Sequence, residues 1–223
     1  MATPIKIKII LENMPHEVSR KILIPQNINM MQLHYTIQLA LGWTFSHLFQ
    51  LCDKKWKASI IASYGQFDDY GPMDVEETPA DLVKLQEEFI ERRGAKPFWY
   101  WYDFGDDWWH KISFVKPGKK DLDIFNGAPK CVEAIGACPP EDVGGSHGYD
   151  QFLEIINDPK HPEYRDFRVW AGIPAGTEYI TDSIDIQLVN AYLTGYFFSP
   201  DWKLRADTVF KSSPTPFMQN LFF

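Results

Sequence analysis

Cysteine is scarce in this chain. Cys52, Cys131 and Cys138 among 223 residues are too few, and odd in number, for a disulfide framework, which excludes the stapled extracellular scaffolds. Long apolar runs are missing as well. No stretch approaches the length that spans a bilayer, and Met1-Ala2-Thr3-Pro4 is not followed by a signal-peptide core. Arginine is limited to Arg20, Arg92, Arg93, Arg165, Arg168 and Arg205, and positive charge is outnumbered overall, with 22 Lys and Arg against 30 Asp and Glu. A net charge of −8 argues against a protein built to grip nucleic-acid phosphates. Repeats and low-complexity blocks are absent too. These absences lead to the expectation of a reduced, cytoplasmic protein without a membrane or DNA partner.

What is present is an ordinary globular balance, 45% hydrophobic and 23% charged, with one bias: aromatics reach 15% and include eight Trp. Half of those Trp fall in one segment, at 99, 101, 108 and 109. Residues 5–11 alternate and then turn apolar, which predicts a strand; residues 17–24 predict a second, stopped by Pro25. Asn29 is placed to cap a helix over 30–41, with Leu33, Ile37, Ala40 and Leu41 at helical spacing and Gly42 as its stop. Strand character returns over 47–61. The run 63–78, with Asp68, Asp69, Asp74, Glu76 and Glu77, predicts a solvated loop. Thr78-Pro79 with Asp81 predicts the start of a helix that buries Leu82, Leu85 and Phe89 and ends at Gly94. Three further helices are predicted, near 149–156, from about 162 to 171, and over 185–193. The fold class is therefore α+β, a mixed sheet with helices packed on it and a β-β-α-β opening of β-grasp type. One domain over 1–193 is followed by an aromatic extension, 194–223, expected to pack on its own body or on a second copy of the chain.

The aromatic segment predicts a hairpin. Phe98–Phe104 and Asp107–Val115 flank Gly105-Asp106, a dipeptide suited to a two-residue turn. That turn places Trp99, Trp101, Asp103, Trp108, His110, Ile112 and Phe114 on one face. Asp103 and His110 are then diagonal neighbours, at about 7–8 Å, walled by indole rings. Two readings follow: a buried polar pair that sets strand register, or a general base or metal ligand in a pocket. Downstream, residues 136–149 carry Pro139-Pro140-Glu141-Asp142 and Gly144-Gly145, a stiff loop. Glu141 and Asp142 either cap a turn or supply carboxylates to the Asp103–His110 face. Gly144 and Gly145 permit a close ligand approach but lack the Lys-Ser/Thr of a phosphate loop. His47, at a strand entry, and Asp106, in the turn, are the candidate metal ligands.

Tyr102-Asp103-Phe104-Gly105-Asp106-Asp107-Trp108-x-His110-x-Ile112 resembles the hallmark of the plasmid pRiA4b ORF-3-like family. So does Cys131-x6-Cys138-Pro139-Pro140-Glu141-Asp142-x-Gly144-Gly145-x-x-Gly148-Tyr149. Leu33-His34, Gly42-Trp43…Ser46-His47-Leu48 and Asp158-Pro159-x-His161-Pro162-Glu163 extend the resemblance over residues 5–193. This chain departs from many relatives in having Val143 and Phe49 where they carry Cys and His. The resemblance implies a link to mobile elements, since members are often labelled TnpR resolvases. The residues do not match that label: a serine recombinase needs a nucleophilic Ser within an arginine cluster, and His161-x-x-x-Arg165 does not form a tyrosine-recombinase set. The function expected is a non-catalytic binding or interaction domain, with Trp101, Trp108, Gly144 and Gly145 as its ligand-binding residues. The alternative is a divalent-metal-dependent hydrolase of phosphoesters that uses Asp103, Asp106, His110, Glu141 and Asp142.

The charge balance generates a first prediction. In a fluorescence-anisotropy titration the purified protein shows no appreciable affinity for duplex DNA at physiological salt; tight, salt-sensitive binding contradicts this reading.

Overall fold

Alternation of inward isoleucines with outward lysines makes Ile5–Leu11 a strand (β1), and Val18–Ile24 (β2) returns beside it. The computed structural model describes residues 3–56, 60–63, 78–181 and 184–207. The expected acidic loop between Ser63 and Thr78, and the far aromatics Phe210, Phe217, Leu221, Phe222 and Phe223, lie outside those residues.

Asn29 caps the first helix (α1, Met30–Leu41) as anticipated. Its side chain accepts from the Gln32 amide at 2.8 Å while the Gln32 side chain accepts from the Asn29 amide, and Gly42 ends the helix in the left-handed region. Strands β3 (Phe49–Cys52), β4 (Ile60–Ser63), β5 (Phe98–Tyr102), β6 (Trp108–Val115) and β7 (Lys130–Ile135) complete a seven-stranded sheet in the order β4-β3-β5-β6-β1-β2-β7. Every ladder is antiparallel. The sheet is thus not mixed, and β1 lacks the parallel neighbour of a β-grasp, although the β-β-α-β opening is present. Short links account for the antiparallel return of β1–β2, β3–β4 and β5–β6, whereas β1–β6, β2–β7 and β3–β5 join strands distant in the chain. Strand β7 falls inside residues 126–148, a stretch whose glycines and prolines predict a loop.

All twelve residues of α1 are buried. The sheet covers one side, and two C-terminal helices, α5 (Ile186–Phe198) and α6 (Pro200–Asp207), pack on it too. Its polar residues are satisfied internally. Thr36 donates to the Gln32 carbonyl, Gln38 donates to the Tyr100 hydroxyl at 2.9 Å, and His34 meets that hydroxyl at 2.7 Å while stacking on Phe49 at 3.9 Å. Residue 193 falls inside α5. Tyr196, fully buried, stacks on Tyr35, so the start of the supposed irregular extension is helical core. The short α2 (Lys119–Ile124) leads from β6 into β7, and α3 (Gly145–Asn157) and α4 (Tyr164–Trp170) lie between β7 and α5. No helix among the described residues is long and apolar enough to cross a membrane.

The helix expected over 79–93 is broken. A 3-10 turn covers Ala80–Leu82, Val83 is extended, and a π-helix covers Gln86–Glu91. Tertiary pairing outcompetes the local pattern: the Met30 amide donates to the Val83 carbonyl and the Leu85 amide to the Ile28 carbonyl. Leu85 and Phe89 remain in the core, whereas Leu82 is exposed.

The β7 edge is closed by one side chain. Asn190 of α5 donates to the Cys131 carbonyl at 2.9 Å and accepts from the Cys131 amide at 2.8 Å, replacing the ladder partner that an edge strand lacks. Asn190→Ala is expected to destabilise the fold by about 1–3 kcal/mol, since two part-buried backbone groups lose their partner. Denaturant titration measures it, and unchanged stability would show that water replaces the amide without cost.

Candidate functional site

The hairpin turn spans five residues where the dipeptide signal suggests two, and the strand register is shifted by one. Tyr100 pairs with His110, Trp101 with Trp109 and Tyr102 with Trp108, which leaves residues 103–107 as the turn. Asp103 is the cause. It adopts φ +53°, its Oδ1 accepts from the Gly105 and Asp106 amides at 3.0 and 3.3 Å, and its carbonyl accepts from the Asp107 amide at 2.7 Å. An Asx-type turn thus takes up the extra residues. Because side chains alternate, this slip reassigns faces. Tyr100, Tyr102, Trp108, His110 and Ile112 point into the core, while Trp99, Trp101 and Trp109 share the other face.

The predicted Asp103–His110 pair is therefore not formed. His110 is fully buried and its Nδ1 lies 3.2 Å from the Tyr100 carbonyl, which assigns the proton to Nδ1; Nε2 has no hydrogen-bond partner among the described residues. Burial pushes its pKa down to about 3, so the ring is neutral. Tyr100 and the edge of Trp43 pack against it. His110 is a core residue. Trp108, 2% exposed, is likewise core, and Trp101 stacks between Trp109 and Phe104 on the opposite face. The two Trp chosen as ligand-lining do not meet.

What the structure does bring together is a rim at one end of β3, β5 and β6. Asp103 is 7% exposed, and its amide donates to the Leu48 carbonyl, which ties the turn to the entry of β3. That contact carries His47 beside it. His47 Nε2 lies 3.5 Å from Asp103 Oδ2 and 3.0 Å from Asp142 Oδ1, yet neither contact has the alignment of a hydrogen bond. Asp142 comes from the loop after β7 and also has a left-handed backbone, at φ +60°.

Glu141 is a strut behind this group. Its Oε1 accepts from the Tyr102 hydroxyl at 2.5 Å, and its Oε2 accepts from the Thr44 amide at 2.7 Å and from the Thr44 hydroxyl. Burial and the adjacent Glu141 carboxylate raise the Tyr102 pKa far above the ordinary phenol range, so this hydroxyl stays a donor. Asp106 has a related role: its Oδ2 accepts from the Gly144 amide at 3.1 Å. A Cβ on Gly145 would sit 2.5 Å from the Asp106 carbonyl oxygen, at a backbone φ of +70°. Gly145 thus permits close approach of two chain segments. Asp106 stands outside the group formed by His47, Asp103 and Asp142, whose ligand atoms lie within 4.8 Å of one another. Thr44 and Tyr102, which the residue-level reading passes over as site residues, hold the rim; the Gly42-Trp43…Ser46-His47 spacing was the signal that this segment matters.

An antiparallel seven-stranded sheet, a helix buried on every side and a rim built by three distant loops define an α+β domain with one polar end. The chain belongs to the plasmid pRiA4b ORF-3-like protein family, whose sequence pattern matches residues 3–188. It is 33% identical over 172 residues to the uncharacterized protein y4hQ of Sinorhizobium fredii (strain NBRC 101917 / NGR234), covering 77% of this chain and 82% of that protein. The crystal structure of a protein of unknown function, MM3350 from Methanosarcina mazei Go1, is similar with a TM-score of 0.63 at 26% identity, covering 82% of this chain and 96% of the other.

The buried neutral imidazole generates a pH prediction. In the unfolded chain His110 titrates near its ordinary value of about 6.5. Its folded pKa is depressed, so its contribution to stability is complete above about 6.5 and is lost as pH falls toward 3. Stability should fall by up to about 1.4 kcal/mol per pH unit within that window on account of this one group. His110→Leu should flatten the slope measured by denaturant titration between pH 7 and pH 4. Equal slopes in both proteins would place the ring in contact with water.

Proposed function

We propose that this chain is a non-catalytic binding domain whose ligand seat is the rim formed by residues 44–48, 103–107 and 141–145. The observation that carries this reading is the division of labour among the rim's carboxylates. Glu141 is engaged at both oxygens by Tyr102 and Thr44, Asp106 is engaged by Gly144, and Asp103 Oδ1 is engaged by its own turn. These contacts set the half-buried His47 and the exposed Asp142 in a preorganised arrangement, as a recognition site requires.

The same contacts weigh against a phosphoester hydrolase. Such an enzyme needs cationic groups around the transferring phosphoryl, and among the described residues no Lys or Arg forms an ion pair with Asp103, Asp106, Glu141 or Asp142. Glu141, committed to three donors, is not available as a general base. The proposed tie to mobile elements rests on the family resemblance alone.

The test is turnover. Purified protein with Mg2+, Mn2+ or Zn2+ is assayed on p-nitrophenyl phosphate and bis(p-nitrophenyl) phosphate beside the Asp103→Asn variant. Equal background rates support a binding domain. Hydrolysis by the parent chain that Asp103→Asn abolishes puts the metal-dependent hydrolase in its place.

A further inference from the structure

The ligand seat holds a group that its hydrogen-bonding pattern does not explain. Asp103 is more than nine-tenths buried. One of its oxygens takes two backbone amides, while the other, Oδ2, is aimed at His47 without an aligned donor. His47 Nε2 is itself buried and lacks a hydrogen bond although two carboxylate oxygens stand within 3.5 Å of it. Buried polar groups are normally paired, and an Asp–His contact at this distance normally aligns N–H with oxygen. Misalignment of both contacts at once indicates donor atoms arranged around a common point rather than toward one another.

The spacing agrees. Ligand atoms bound at about 2.0–2.2 Å to one cation are about 3.0–3.5 Å apart on adjacent vertices of an octahedron or tetrahedron. The distances from His47 Nε2 are 3.0 Å to Asp142 and 3.5 Å to Asp103. We propose that His47, Asp103 and Asp142 are three ligands of a divalent first-row transition metal ion. The proposal rests on reading this rim as the ligand seat and names what the seat takes. One imidazole with two carboxylates suits Mn2+, Fe2+, Co2+, Ni2+ or Zn2+, whereas Ca2+ seeks six to eight oxygens and Mg2+ keeps most of its water. Two carboxylates and a neutral imidazole balance a dication. Asp142 is exposed at 69% of its side chain, so the remaining coordination positions face solvent and take water or a donor atom from a partner.

The second shell fits the same assignment. Asp103 Oδ1 is held by two amides, and the Glu141 strut places the neighbouring Asp142 through Tyr102 and Thr44. Outer partners of this kind orient ligands and tune affinity.

The experiment uses the full chain, stripped with EDTA and titrated with Mn2+ or Zn2+ by calorimetry, with Mn2+ electron spin-echo spectroscopy as a second readout. The expected result is one equivalent bound per chain, imidazole-nitrogen modulation of the Mn2+ signal, and little competition from Mg2+. His47→Gln should remove the modulation. Asp142→Asn, which keeps a residue type that tolerates the left-handed backbone, should weaken binding at least about tenfold with an unchanged metal-free melting temperature. Tyr102→Phe, which removes the hydroxyl that donates to Glu141 and accepts from the Ser46 amide, should weaken it by about 10- to 100-fold. Absence of uptake overturns the proposal, as does uptake that persists unchanged in both His47→Gln and Asp142→Asn. Neither outcome alters the turnover test, and metal uptake accompanied by turnover would uphold the site while overturning the non-catalytic reading.

Discussion

The docking of the loop over 141–148 onto the hairpin turn at 103–107 is the constraint on which the rim depends. It works through close backbone approach. Gly145 lies against the Asp106 carbonyl where a Cβ would stand 2.5 Å from oxygen, and a Cβ on Gly148 would stand 2.0 Å from the Val143 carbonyl oxygen. No side chain fits at either place. The Asp106–Gly144 hydrogen bond and the Tyr102–Glu141–Thr44 chain then fasten the loop from two sides. Because α3 starts at Gly145, the loop is also the lead-in to that helix, and its position is transmitted to Tyr149 and Phe152 in the core. Movement of the loop would therefore disturb both the rim and the packing beneath it.

The interior beneath the rim holds a fully buried arginine, Arg20, which forms no ion pair among the described residues. Its guanidinium donates to the carbonyls of Ala40, Ser19, Ile135 and Gly136, and its Nη2 lies 3.6 Å from Cys138 Sγ. Ala40 belongs to the last turn of α1, where unpaired carbonyls and the helix dipole present negative potential. The charge is thereby held by dipoles, and one side chain ties α1, β2 and the start of the loop after β7 together. Burial pushes the Cys138 thiol up to about 11 in spite of that neighbour, which keeps it protonated and inert. The Tyr100 hydroxyl ties the sheet to α1 in a similar way, meeting His34 and Gln38.

The slip of one residue in the hairpin shows how a local reading fails while its ingredients are right. Asp103, His47 and Asp142 all stood among the candidate residues, and His110 did too. The error lay in counting the turn. Gly105-Asp106 matches a two-residue turn, but Asp103 bonds its own backbone and takes a left-handed conformation, which lengthens the turn, shifts the register by one and exchanges the faces of one strand relative to the other. His110 then moves into the core and Trp101 to the opposite face. The place expected for His110 beside Asp103 is filled instead by His47, from a segment that periodicity could not relate to the hairpin.

Local chemistry was legible wherever it is self-contained. Alternation in β1, the Asn29 capping box and the Gly42 stop of α1 each depend on residues within one element, so the order of residues determines them. The tertiary structure decided everything that depends on two elements at once. Whether 79–93 is one helix was settled by backbone groups at 28–30, the nature of the sheet by how its strands return, and the partner of Asp103 by where β3 enters. The physical reason is that periodicity specifies which side chains share a face of one element. Register between elements is set by non-periodic turn geometry and by competition among distant hydrogen-bond partners, and no spacing rule along the chain encodes either.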